Sequence, residues 1–234
     1  MSAEQPLLGQ PVAWRAATAL AFTAGGVDSV GLSAVARYTA HMSGTTSGLA
    51  GAIAAAETAT LVLCVVALAS FVAGAAGVGL VLADPSRWSR EGRTRALLYS
   101  EAALIALAAW PLVLRSRELP AVIAVIVPLA AAMGAQNRLG VVLAGGSART
   151  THVTGTLTDA GYHLGRWLRP RREPLLGVDD AQRSGALFLL FIAFLVGGVT
   201  GRFAWLLVQP LAVATLALIP IVVGWTVLRR AAAR

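Results

Sequence analysis

The chain has 234 residues, 57% hydrophobic and 13% charged, with a mean hydropathy of +0.72. Soluble globular domains carry about a quarter charged residues and disordered chains have far fewer apolar ones, so both are excluded and an integral membrane protein remains. The formal charge of +8 comes from 19 basic residues, all Arg, against 11 acidic ones; the Arg punctuate the gaps between apolar runs instead of covering one polar face, which sets nucleic acid aside and points to membrane orientation.

A spanning helix needs about 20 mostly apolar residues, and six runs reach or approach that length. The tail 1–11 is too short and too poor in basic residues for a cleaved signal peptide, so the first span, 12–36 around Asp28, is expected to be retained. The second, Thr58–Ala83, carries no charge; it holds Cys64, a lone cysteine that reads as a small core residue. The third run, 95–114, contains Glu101, which lies close enough to a span's end to pair with an Arg such as Arg95. The fourth, 119–137, is bounded by Glu118 and Arg138, the fifth, 184–201, by Arg183 and Arg202, and the sixth is 203–228. Between the fourth and fifth, residues 166–183, with Pro170, Pro174, Asp179 and Asp180, read as a solvated linker. Arg87, Arg90, Arg93 and Arg95, the Arg of 149–183, and the C-terminal tail 229–234 outweigh Arg37, Arg115, Arg117 and Arg202 on the other side. That asymmetry puts both termini in the cytoplasm.

The chain repeats itself. His41-Met-Ser43-Gly44-Thr45-Thr46 returns as His152-Val-Thr154-Gly155-Thr156, with the two histidines 111 positions apart, and Gly25-Gly26-Val27-Asp28 returns 109 positions later as Gly134-Ala135-Gln136-Asn137. A weaker echo sets Gly74 and Gly77 against Gly198 and Gly201. Two halves, 12–115 and 119–228, follow. Each holds three helices, and an odd number inverts the second half, an arrangement characteristic of secondary transporters.

Those four elements resemble the YoaK-like family of bacterial inner-membrane proteins, a domain of unknown function, over almost the whole chain; Ser43-Gly44-Thr45 departs from the family's Thr-Gly-Asn. The resemblance implies six spans in the bacterial plasma membrane and no settled activity.

Asp28 is the strongest single residue. A carboxylate inside a span is costly unless paired, protonated or wet, so it marks an interior functional position. Asn137 is its uncharged counterpart, and an ion pair of Asp28 with Arg138 is the structural alternative. The Gly and hydroxyl residues after each histidine are good helix starts: Ser43, Thr45 or Thr46 would cap free N–H groups, and such an end attracts polar or anionic groups. The expected solute site therefore comprises Asp28, Asn137, Gln136, His41, Ser43, Gly44, Thr45, Thr46, His152, Thr154, Gly155 and Thr156. His41, His152 and His163 lack metal-ligand spacing, so no metal or cofactor is expected. The six Trp fall mostly near span ends, as an aromatic belt does.

The reading is an all-α integral membrane protein of six transmembrane helices in two inverted three-helix repeats. It would be a small secondary transporter or facilitator for a polar or anionic small molecule, with the bilayer and that solute as partners. A homo-oligomer stays open. The alternatives are an intramembrane enzyme using His and Asp chemistry, and a non-catalytic scaffold.

Overall fold

The computed structural model describes residues 10–83, 89–114, 116–144, 149–168 and 175–231; of the expected elements, most of the N-terminal tail, Arg87, Trp88, Arg115, linker residues 169–174 and the last three residues lie outside it. The described residues form helices and turns, with no strand among them. In order they are α1 (Gln10–Val35), α2 (Met42–Ala54), α3 (Thr58–Ala83), α4 (Arg90–Leu107), α5 (Ala109–Val113), α6 (Leu119–Ala144), α7 (Val153–Leu168), α8 (Leu175–Val208), α9 (Pro210–Leu216) and α10 (Leu218–Ala231). Long runs of Ala, Leu, Val and Gly without charge satisfy their backbone groups internally, which is what hydrocarbon requires.

Five helical stretches are long and apolar enough to cross a membrane: 12–35, 58–83, 90–113, 119–143 and 179–208. Their outward faces are strongly apolar, with Leu207 81% and Leu80 75% exposed, the surface a lipid solvent would cover. The expected boundaries shift where charge was taken as a stop. Helix α6 continues past Asn137 and Arg138, and α8 runs through Arg202 to Val208. The uncharged run 203–228 is not one helix: the chain turns at Gln209, whose φ is 48°, and the apolar helix beyond it, 210–226, is shorter than the other five.

Residues 166–183 are likewise not simply a solvated linker. They carry the end of α7 and the start of α8, and Asp180 is buried there, accepting from His163 Nδ1 at 2.8 Å and lying 3.2 Å from Arg166 Nε. Neutralisation by that Arg lets the carboxylate leave water.

Proline shapes two of the apolar stretches. Pro111 and Pro220 each follow by three residues a break, at Ala108 and at Ala217. A proline lacks the N–H that would bond the carbonyl four residues back and its ring crowds that carbonyl.

The helices pack crosswise. α1 lies mainly against α8 and α3 mainly against α6, while α1 meets α6 and α4 meets α10. Both major contacts use the same close approach. A Cβ on Gly25 would strike the Phe194 carbonyl oxygen and one on Gly197 the Phe22 carbonyl; a Cβ on Gly134 would strike the Phe71 carbonyl and one on Gly74 the Ala131 carbonyl. Gly25 and Gly134 are 109 positions apart, as are Phe22 and Ala131, while Phe71 and Phe194, like Gly74 and Gly197, are 123 apart. The packing thus matches Gly74 with Gly197, one residue from the Gly198 that sequence spacing suggests.

Candidate functional site

Asp28 lies seven residues before the end of α1. Ala36, in the left-handed region at φ 54°, reverses the chain there, and residues 37–40 return along the helix. The N–H groups of Thr39 and Ala40 then donate to Asp28 Oδ1 at 2.8 and 2.7 Å. Seven residues at 1.5 Å each place this junction about 10 Å in from the helix end. Gly31 makes the return possible, because a Cβ there would meet Thr39 Cγ2 and the Arg37 carbonyl. Thr39 and Ala40 are buried, so their N–H groups need the acceptor.

The second half repeats this with different chemistry. Asn137 also stands seven residues before the end of its helix, α6, and its Oδ1 accepts from the Thr151 N–H at 3.4 Å. Gln136 is fully buried and ties both halves: its Nε2 donates to the Leu20 carbonyl on α1 at 2.8 Å and to Thr150 Oγ1 at 3.1 Å. Asp28 and Asn137 therefore bond the returning segment of their own half. Asp28 Oδ1 is turned to the backbone of residues 39 and 40.

Each histidine ends a returning segment and starts a short helix. A Cβ on Gly44 would strike the His41 ring, and one on Gly155 the His152 ring. The glycine of the repeated motif thus makes room for the ring over the first turn. The expected hydroxyl caps do not form: α2 has no side-chain cap, Thr45 Oγ1 donates to the His41 carbonyl at 3.1 Å and Thr46 Oγ1 to Met42 at 2.9 Å. These hydroxyls bond backward, to the carbonyl four residues before, and do not accept from free N–H groups. Ser43 Oγ lies 3.4 Å from His41 Nε2, Thr154 is exposed and Thr156 buried. Sequence reasoning brought the histidines into one site; His41 packs against Gly44 and His152 against Gly155, each in its own half, and His163 bonds Asp180.

A cleft of about 180 Å³ opens between the end of α1, α2 and α3, lined among others by Arg37, Tyr38, Thr45, Gly48, Thr60 and Cys64. Arg37 reaches across it: Nη2 donates to Thr60 Oγ1 at 2.8 Å, Nη1 to the Ala36 carbonyl at 2.9 Å, and Nε is buried without a partner. Thr60 Oγ1 in turn donates to Glu57 Oε1 at 2.7 Å. The cleft thus pairs the Arg37 guanidinium, whose Nε has no partner, with the hydroxyls of Thr45 and Thr60 and the nearby Glu57 carboxylate, a lining that suits a small polar group. Arg37 was read only as a topological charge, because nothing in spacing announces that the chain doubles back beside it.

Glu101 was misread as an end-of-span group with an Arg partner. It lies near the middle of the stretch 90–113, is 0% exposed, and neither carboxylate oxygen has a hydrogen-bond partner. The signal was available: Thr94, Leu98, Glu101, Ile105, Ala108 and Leu112 form one helical stripe, and every member is buried.

No curated protein and no solved structure matches the chain. One family model does, described as Protein of unknown function (DUF1275), over residues 16–226. That match takes in both returning segments, the cleft and Glu101, and the chain belongs to this family of unknown function.

Proposed function

We propose that the chain is a small secondary carrier or facilitator for a polar, preferably anionic, small solute in the bacterial plasma membrane. Its two halves, 12–115 and 119–228, are related by inversion, α9 and α10 together serve as a broken sixth span, and both termini face the cytoplasm. The observation that carries the reading is the doubled glycine-to-carbonyl contact, α1 on α8 and α6 on α3, with the doubled return of the chain onto Asp28 and Asn137. Duplicated, oppositely placed halves give a protein two similar packings to alternate between, and polar segments that dip beside the spanning helices supply a solute with partners. The anionic preference rests on the Arg37 cleft. His41, Ser43, Gly44, Thr45 and Thr46 serve one entrance, His152, Thr154, Gly155 and Thr156 the other, and Gln136 joins the halves between them.

Two measurements test it. In a Cys64→Ala background, Ser43→Cys should react with an impermeant thiol reagent from outside intact cells and Thr154→Cys only in opened cells; labelling of both from one side would refute the inversion. Proteoliposomes offered phosphate, sulfate and small carboxylates should take up at least one faster than protein-free vesicles, and slower in Arg37→Gln. Uptake of none would refute the carrier.

A further inference from the structure

Glu101 has no role in the returning segments or the cleft, and its surroundings are unlike those of any other acid described. It sits on the buried stripe of α4, one turn from Leu98 and one from Ile105, which are 0% exposed. Both oxygens lack any hydrogen-bond partner. α4 packs against α3, α6, α9 and α10 and leads into α5. Among Asp, Glu, His, Lys and Arg, α3, α5 and α9 contribute none, α6 contributes Arg138, and α10 contributes Arg229 and Arg230 near its end. Arg138 lies in the second half of α6, about 10 Å along the helix from its middle. Cys64, the thiol of α3, belongs to the cleft near that helix's start. No salt bridge to Glu101 occurs among the described residues.

A bare carboxylate charge without a partner is far more costly in such a place than a protonated carboxyl. A metal or alkali cation would require several converging ligands, and among the described residues no cluster of three or more His, Cys, Asp or Glu forms. A proton needs only the carboxyl itself. The stripe also offers a route to a second state: Ala102, Ile105 and the break at Ala108 share one core cluster with Ala212, Val213, Leu216 and the break at Ala217. Helix segments on either side of such breaks can tilt separately.

We infer that Glu101 is a proton-binding site in the membrane interior, loaded in this conformation and emptied when the broken helices part and admit water. On the carrier reading above, on which this role rests, the proton is the ion coupled to the solute.

Dicyclohexylcarbodiimide, an apolar reagent, tests it on the full chain in lipid nanodiscs. The acid proton moves to a carbodiimide nitrogen, the carboxyl oxygen adds to the central carbon, and an acyl shift to nitrogen leaves a stable adduct. Peptide mapping should find the adduct on Glu101, with a rate that falls as the pH is raised, and none in Glu101→Gln. A water-soluble carbodiimide should instead modify the exposed Glu57 and Glu118. No adduct on Glu101, or a rate indifferent to pH, overturns the inference. In proteoliposomes, Glu101→Gln should abolish the dependence of anion uptake on a pH gradient; an unchanged dependence overturns the coupling. A labelled Glu101 in a chain that moves none of the anions would sink the carrier and keep the proton site, and anion uptake with an unlabelled Glu101 would do the reverse.

Discussion

Replacing Asp28 separates an anchoring carboxylate from a conducting one. In Asp28→Ala the N–H groups of Thr39 and Ala40 lose their acceptor while buried against α1. Each orphaned donor costs about 1–3 kcal/mol, so the pair costs about 2–6 kcal/mol. Asp28→Asn keeps an oxygen in place, as Asn137 does naturally with Thr151. It exchanges charge-assisted bonds of about 1.5–3 kcal/mol for neutral ones of about 0.5–1.5 kcal/mol, but an amide is also cheaper to bury, and the net loss should be at most about 2 kcal/mol. At about 2–4 °C per kcal/mol for a chain of this size, Ala should lower the melting midpoint by roughly 4–24 °C and Asn by at most about 8 °C. Cys64 supplies the assay, because this buried thiol becomes reactive to a fluorogenic maleimide as the bundle opens in detergent. An Asp28→Ala protein melting with the parent would show that the returning segment does not depend on the carboxylate. Equal losses in Ala and Asn would show that charge, not the acceptor, holds it.

Gly25→Ala, Gly74→Ala, Gly134→Ala and Gly197→Ala each push a methyl into a backbone carbonyl of the facing helix, so each should lower the midpoint by the equivalent of at least about 1–3 kcal/mol. Gly77→Ala and Gly79→Ala meet nothing within 4 Å and should gain up to about 1 kcal/mol from helix propensity; similar losses in both sets would refute the close-approach reading. Gln136→Leu removes the amide that bonds Leu20 and Thr150 and should cost about 1–3 kcal/mol by the same melting assay, while Asn137→Ala, which loses one longer bond, should cost less. The opposite ranking would place the join between the halves at Asn137.

Membrane insertion was legible because it depends on composition and run length alone: Thr58–Ala83 appears with its ends unchanged. Ends set by charge were not legible. Arg138 and Arg202 stand inside helices, since a long guanidinium side chain can leave the apolar layer without ending the helix beneath it. The polar elements were found, but their partners were not. Asp28 was rightly singled out as a buried acid, yet its donors lie eleven and twelve residues on, across a reversal at Ala36 that no glycine advertises. Glu101 escaped because its nearness to Arg95 in sequence was taken for a contact, whereas six residues along a helix separate two side chains by about 120° around its axis, off the shared face of i,i+3 and i,i+4 pairs.

The two halves share a geometry and differ in what keeps it. The first return uses a carboxylate and two short bonds; the second uses Asn137, one longer bond, and the amide of Gln136 reaching into the other half. The short helices diverge too: α2 is apolar and lies along α3, whereas α7 sets His163 and Arg166 against Asp180 of α8. A helix that starts about 10 Å inside its neighbour's end brings its first N–H groups to a depth where lipid cannot satisfy them. α2 has no side-chain cap to do so. The Arg37 cleft adjoins that start, with Gly44 and Thr45 in its lining. The two starts differ in their neighbours: Arg37 lines a cleft beside the first, and Gln136 bonds Leu20 and Thr150 beside the second.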